Sequence, residues 1–255
     1  MKSILVLALI IILLVVLTSP AEAYQNQKIK GWGASFLWAD MPEGWLPPLT
    51  YDFYLVYGAG CSSGDVPRSV LQYLKDNGKK IGASIYQDSS THPWPEKGRI
   101  DYVFEKYGHL MDFVMVFEEI GLPYGTMTVQ EANDSYDYIK SKYPWVKVYA
   151  NPQVNSVDFT RLNEIKADGW ILGARWWYSL EFEEIFLNPM LATGKPIINL
   201  LFLGAFAGEG DLWKYAIDQH RATRPYKIPE LIVLPFYPGL EEITQERLGI
   251  IREVE

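Results

Sequence analysis

Residues 112–121, Asp-Phe-Val-Met-Val-Phe-Glu-Glu-Ile-Gly, run bulky apolar side chains into two adjacent carboxylates. A carboxyl group beside apolar rings holds its proton more tightly, and a second, ionised carboxylate in reach makes an acid/base pair. Such a pair can hydrolyse a glycosidic bond: one carboxyl protonates the leaving oxygen, and the other attacks the sugar or activates water. Side chains alternate along a strand, so Val114 and Val116 share a face with Glu118, and Phe113, Met115 and Phe117 share one with Glu119. Small β-branched residues are usual beneath helices, so Glu119 is expected to turn into a site and Glu118 toward its rim. A bulge at the strand end would exchange them. The plainer alternative is that both are solvated charges capping the next turn.

Other apolar runs also end in polar or aromatic residues. Asp88 and Glu209 could supply the second carboxylate. Trp38, Asp40, Tyr86, Gln87, Asn151, Gln153, Arg175, Trp176, Trp177 and Tyr237 could line a binding cavity, with Trp94 beside them. Flat rings can stack on sugar faces, and Arg175 could hold a carboxylate ionised or bind an acidic sugar. The alternative for Arg175-Trp176-Trp177 is packing under a loop.

The elements that must position these residues follow one rhythm. Short β-branched or aromatic runs occupy 30–38, 51–60, 79–88, 112–119, 145–153, 169–177, 195–204 and 230–239. Stretches of helical period lie between most of them, including PRSVLQYLKDNG, VQEANDSYDYIKSKY and DLWKYAIDQHR. Asn77-Gly78, Tyr143-Pro144 and Thr193-Gly194 are helix stops just before the next run. The first connection, ADMPEGWLPPLT, is too rich in proline for a helix. Eight strands alternating with helices predict an α/β chain with a parallel sheet closed as a (β/α)8 TIM barrel in one domain. The alternative is an open doubly wound sheet, but GAGCSSGD lacks the G-x-G-x-x-G spacing of a dinucleotide loop. In such a barrel the site lies at the C-terminal strand ends. In 81–88, Ile81, Ala83 and Ile85 suit the helix-covered face, and Gly82, Ser84, Tyr86 and Asp88 the interior. By the same alternation Ile171, Gly173, Arg175 and Trp177 share the inner face of the sixth run.

Residues 1–23 read as a secretory signal peptide: Lys2, an apolar run from Ile4 to Leu17, then Ala-Glu-Ala. The barrel is expected over 24–255, and the product is secreted or extracellular. The run is shorter than the roughly 18–20 residues of a membrane span, so an uncleaved anchor is the lesser alternative. No other segment could span a bilayer. A net charge of −8 argues against nucleic acid as a partner, since phosphate binding needs clustered Lys and Arg. It leaves a carbohydrate partner open. Cys61 is the single cysteine, so no intramolecular disulfide can form. His92, His109 and His220 lack metal-ligand spacing, and no metal or cofactor is expected.

With these residues in place, the chain resembles the secreted (β/α)8 glycoside hydrolases, which carry an acid/base glutamate at the end of the fourth strand. Glu119 falls there. Chitinase-type barrels carry D-x-x-D-x-D-x-E on that strand; here the frame reads Asp112, Met115, Phe117, Glu119, matching at its first and last positions. The stretch from YDFYLVYGAG to LKDNGKKIGASIYQD is similar to the early strand–helix–strand of polygalactosaminidase-like barrels. In the large retaining clan the seventh strand ends in a nucleophilic glutamate. INLLFLG has none, and Glu209 follows several residues later. The resemblance implies a glycosidase acting on a polysaccharide or glycan. The missing second carboxylate leaves a non-catalytic carbohydrate-binding or cell-surface barrel as the alternative.

Overall fold

Eight short strands hydrogen-bond side by side in chain order, each parallel to its neighbours, and the last pairs with the first to close a barrel. The computed structural model describes residues 29–37, 44–57, 65–85, 97–120, 128–152, 159–173, 181–203, 213–233 and 240–253, with backbone alone at 37, 116–120, 159–161 and 240–243. The strands are β1 (Trp32–Leu37), β2 (Phe53–Tyr57), β3 (Lys80–Ser84), β4 (Phe113–Ile120), β5 (Lys147–Pro152), β6 (Gly169–Leu172), β7 (Ile197–Leu201) and β8 (Glu230–Val233). Seven fall within the apolar runs read from the sequence, and β4 extends one residue past its run. The helices are α1 (Arg68–Asp76), α2 (Lys97–Tyr107), α3 (Val129–Lys142), α4 (Asn188–Ala192), α5 (Lys214–Thr223) and α6 (Leu240–Glu253). Gly78 and Gly194 take the left-handed conformation at two of the expected helix stops (φ +71° and +68°).

Two connections depart from a strict strand–helix alternation. Residues 44–50, in the proline-rich link after β1, carry no helix, as their composition requires. Between β5 and β6 the described link is a 3-10 turn, Phe159–Glu164, rather than an α-helix. A π-helical turn, Phe182–Leu187, leads into α4.

The strands sort their side chains by alternation. Ile81, Ala83 and Ile85 pack in the layer between strands and helices, with Val114, Val148, Ala150 and Ile197. Phe53, Leu55, Phe113, Met115, Tyr149, Ile171, Ile198, Leu200, Leu231 and Val233 fill the barrel interior. The inner-face assignments of Gly82 and Ile171 therefore hold. Large rings at the N-terminal end of the interior are accommodated by glycines on the next strand in register. Phe53 lies opposite Gly33 and Phe113 opposite Gly82, while on β5 and β6 the order reverses, Tyr149 lying opposite Gly169. A β-carbon on Gly33, Gly82 or Gly169 would come within 2.4, 2.2 or 2.5 Å of its partner ring. Phe113 and Tyr149 then meet edge to face, centroids 5.4 Å apart.

Outside the sheet, the outward residue that opens every even strand is acidic: Asp52, Asp112, Asp168 and Glu230. The three aspartates each clasp the residue opposite on the preceding strand. Asp52 donates its N–H to the Trp32 carbonyl (2.7 Å) and accepts the Trp32 N–H (3.0 Å). Asp112 does the same with Ile81 (2.7 and 3.0 Å), and Asp168 with Val148 (2.8 and 3.0 Å). The fourth pair departs: Glu230 accepts from Thr223 Oγ1 (2.9 Å) and lies 2.7 Å from His220 Nδ1.

A second repeat ties the helices together. On α2, Tyr102 and Lys106, with Tyr107, donate to Asp65; on α3, Tyr138 and Lys142, followed by Tyr143, donate to Asp101. Both sets have the spacing Tyr-x-x-x-Lys-Tyr, so each helix presents the same hydroxyl–ammonium face to the acid of the element before it.

Candidate active site

The C-terminal strand ends form the mouth, and the parts of the eight strand-to-helix connections nearest the strands lie largely outside the described residues. So do Trp38, Asp40, Tyr86, Gln87, Asp88, Trp94, Gln153, Arg175, Trp176, Trp177, Glu209 and Tyr237, together with Cys61 and residues 1–28. What is described is the floor: the last inward positions of the strands and the backbone of β4 where it carries Glu118 and Glu119.

Toward the C-terminal end the interior changes character. The phenyl and aliphatic filling gives way to Ser84, Asn151 and Gly173, with Tyr57 and Phe202 packed on the rim of the apolar cluster. Asn151 is 8% exposed, and among the described residues the fully buried side-chain amide without a hydrogen-bond partner is that of Asn199 on β7. The Asn151 side chain leans along the barrel toward Gly173, just past β6: a β-carbon there would sit 3.6 Å from Oδ1, 3.7 Å from Nδ2 and 3.5 Å from Leu200. These are ordinary contact distances, so a β-carbon at Gly173 would be tolerated, unlike one at Gly33, Gly82 or Gly169. Asn151 carries two donors and an acceptor at the floor of the mouth. Asn151 was expected on sequence grounds to bind substrate. Tyr57 and Phe202 were not singled out; the signal was their place as the last inward residue of β2 and β7.

Strand β4 is the irregular member of the sheet. Its alternation holds from Phe113 to Met115: Phe113 and Met115 are interior, and Val114 faces the helices. Beyond that the register against β5 shifts twice. Met115 pairs with Tyr149, Phe117 with Ala150 and Ile120 with Pro152. Five steps along β4 thus match three along β5. The alternation used to choose Glu119 over Glu118 does not run unbroken to the end of the strand.

Tyr149, below Asn151 on the same face, is a neutral hydrogen-bonding group, because burial pushes its phenol well above the usual range. At the opposite, N-terminal end, Asp112 is held below the usual carboxylate range. Burial works against this, but hydrogen bonds from Lys80 and Lys75 (both 2.9 Å) and from the Ile81 N–H outweigh it. Asp112, the first residue of the chitinase-type frame, is therefore a structural clasp remote from the mouth. Among the described residues no cluster of His, Cys, Asp and Glu could hold a metal ion, and no helix is long and apolar enough to cross a membrane.

No family model and no curated protein matches the sequence significantly. Many solved structures share the fold. The catalytic domain of a hyperthermophilic chitinase from Pyrococcus furiosus is 11% identical, with 90% of this chain aligned to 97% of that one and a TM-score of 0.57. An endocellulase from Pyrococcus horikoshii, solved with cellotetraose, is 8% identical, with 89% and 92% of the two chains covered and a TM-score of 0.63. At such identities the likeness is one of fold: this chain is a closed eight-stranded parallel α/β barrel whose structural neighbours include glycoside hydrolases.

Proposed function

We propose that this protein is an exported glycoside hydrolase acting on a polysaccharide or glycan at the C-terminal mouth of the barrel, with Glu119 as proton donor. The observation that carries the reading is the end of β4, where two glutamates follow an apolar strand at the C-terminal end of the closed barrel. A proton held there can pass to the glycosidic oxygen as the bond to the anomeric carbon breaks, the bonding electrons leaving with the oxygen. A carboxylate or a carboxylate-activated water then satisfies the anomeric carbon. The chitinase and endocellulase neighbours support a carbohydrate substrate by analogy of fold. The leader at 1–23 supports export.

A screen of hydrolysis over a glycan panel, with wild type, Glu119→Gln and Glu118→Gln, tests the reading. Cleavage by wild type that is lost in Glu119→Gln is the expected result. Sugar binding without cleavage by any of the three would instead favour a non-catalytic carbohydrate-binding barrel. One observation speaks for that second reading: the inward positions at the end of β7 are Ile198, Leu200 and Phe202, with no carboxylate among them.

A further inference from the structure

The acid that opens β8 does not clasp the strand before it as the three aspartates do. We infer that a single buried water molecule, held by Asn199 of β7 and Glu230 of β8 beneath α5, closes this fourth strand pair. The site lies in the layer between strands and helices, away from the mouth, and is independent of the glycosidase reading.

In the first three pairs the carboxylate accepts the N–H of the residue opposite: Trp32, Ile81 and Val148. The residue in that position of the fourth pair is Asn199, in register with Glu230. Its N–H donates instead to the Pro229 carbonyl (2.9 Å). The Glu230 carboxylate turns to α5, where Oε1 accepts from Thr223 Oγ1 and Oε2 meets His220 Nδ1. Asn199 faces the same layer as Glu230, because Ile198 and Leu200 fill the interior while Ile197 and Leu201 pack beneath the helices. Its side chain is fully buried, and among the described residues neither Nδ2 nor Oδ1 has a hydrogen-bond partner.

A buried amide is costly unless it is hydrogen-bonded, and a buried water is stable where it makes about three bonds. The fourth pair supplies three to one water. Asn199 Nδ2 donates to it, and it donates one hydrogen back to Oδ1 and the other to Glu230. Each carboxylate oxygen has two lone pairs, of which Thr223 and His220 take one apiece, so an acceptor site remains. Register partners on adjacent strands stand side by side, which keeps both groups within the span of one molecule. The water thus does for β7 and β8 what an aspartate does directly in the other three pairs, while Glu230 stays free to fasten α5.

A high-resolution crystal structure of the wild-type protein tests this. One ordered water is expected within hydrogen-bond distance of Asn199 Nδ2, Asn199 Oδ1 and a Glu230 oxygen. Thermal melts of Asn199→Val and Asn199→Thr provide the second measurement. The two side chains share nearly the same shape, so their packing costs cancel, and threonine alone keeps a hydroxyl for the water. Asn199→Thr is expected to melt about 2–4 °C above Asn199→Val, the shift for one retained hydrogen bond in a chain of this size. An Asn199 amide with no water on it in the wild-type crystal, or bonded directly to Glu230, would overturn the inference. So would an Asn199→Thr that melts at or below Asn199→Val. Where neither variant folds, the wild-type crystal structure decides alone.

Discussion

Gly82 and Phe113 lie opposite one another in register inside the barrel, so close that a β-carbon on the glycine would come within 2.2 Å of the phenyl ring. Gly82→Ala is expected to force the ring off its position in a filled interior, at a cost of about 1–3 kcal/mol or more. Gly33→Ala against Phe53 should behave alike. Thermal melts read both. Gly173→Ala is the control, because its β-carbon meets Leu200 and Asn151 at ordinary distances and should leave the melting temperature near that of wild type.

Gly173→Leu is expected to separate stability from function, because its larger side chain would crowd the Asn151 amide at the floor of the mouth. The protein should fold, and affinity for an oligosaccharide that wild type binds should fall at least about tenfold, the loss of a displaced contact worth roughly 1.4 kcal/mol. Isothermal titration calorimetry on both proteins measures it.

Asp112 is a stability element with a definite pH signature. Its carboxyl is depressed by Lys80, Lys75 and the Ile81 N–H in the folded state. The stabilisation is therefore complete above the unfolded value, about 4 for an aspartate, and is lost as the pH falls through the lower folded value. Asp112→Ala is expected to cost about 1–3 kcal/mol at pH 7. The difference should shrink as the pH falls below the unfolded value of about 4, as urea melts at pH 7 and in acid would reveal.

Glu119→Gln keeps the shape of the side chain and removes the proton. Where wild type cleaves a glycan, the variant is expected to lose about 10²–10⁴ in kcat, the usual contribution of a positioned general acid. Substrates with good leaving groups should be affected least, because they need little protonation. Comparing aryl glycosides of graded leaving-group acidity provides the measurement.

The capping box that opens α3 holds the chain on the far side of the β4 connection. Thr128 Oγ1 accepts from the Glu131 N–H (3.3 Å), and the Thr128 N–H donates to Glu131 Oε2 (2.8 Å). Thr128→Ala is expected to destabilise the protein by about 0.5–2 kcal/mol in denaturant melts.

The barrel was legible in the sequence because each strand is a compact β-branched or aromatic run ended by a turn or helix stop, and the interior face could be read where alternation is regular. Gly82 and Ser84 are such cases. Three things were hidden for physical reasons. The 3-10 link after β5 has too few periodic positions to distinguish it from a short helix. Asp52, Asp112 and Asp168 look like ordinary strand-edge charges until the register puts each opposite a backbone N–H on the preceding strand. The shift in β4 is set by how that strand pairs with β5, and pairing is not a property of either segment alone. At the site, Asn151 was legible as a strand-end amide. Tyr57 and Phe202 were passed over because aromatic residues at strand ends are common in any barrel.

The aspartate clasps join β1 to β2, β3 to β4 and β5 to β6, so a division of the chain within residues 121–127 would leave every one of them whole. What would cross that division are the β4–β5 and β8–β1 strand pairings and the contacts of α3 with α2: Tyr138, Lys142 and Tyr143 on Asp101, and the stacked rings of Phe104 and Tyr143. The same polar and aromatic seam that fastens two helices in the intact barrel would then be part of a recognition surface between two half-barrels, beside the opened strand edges.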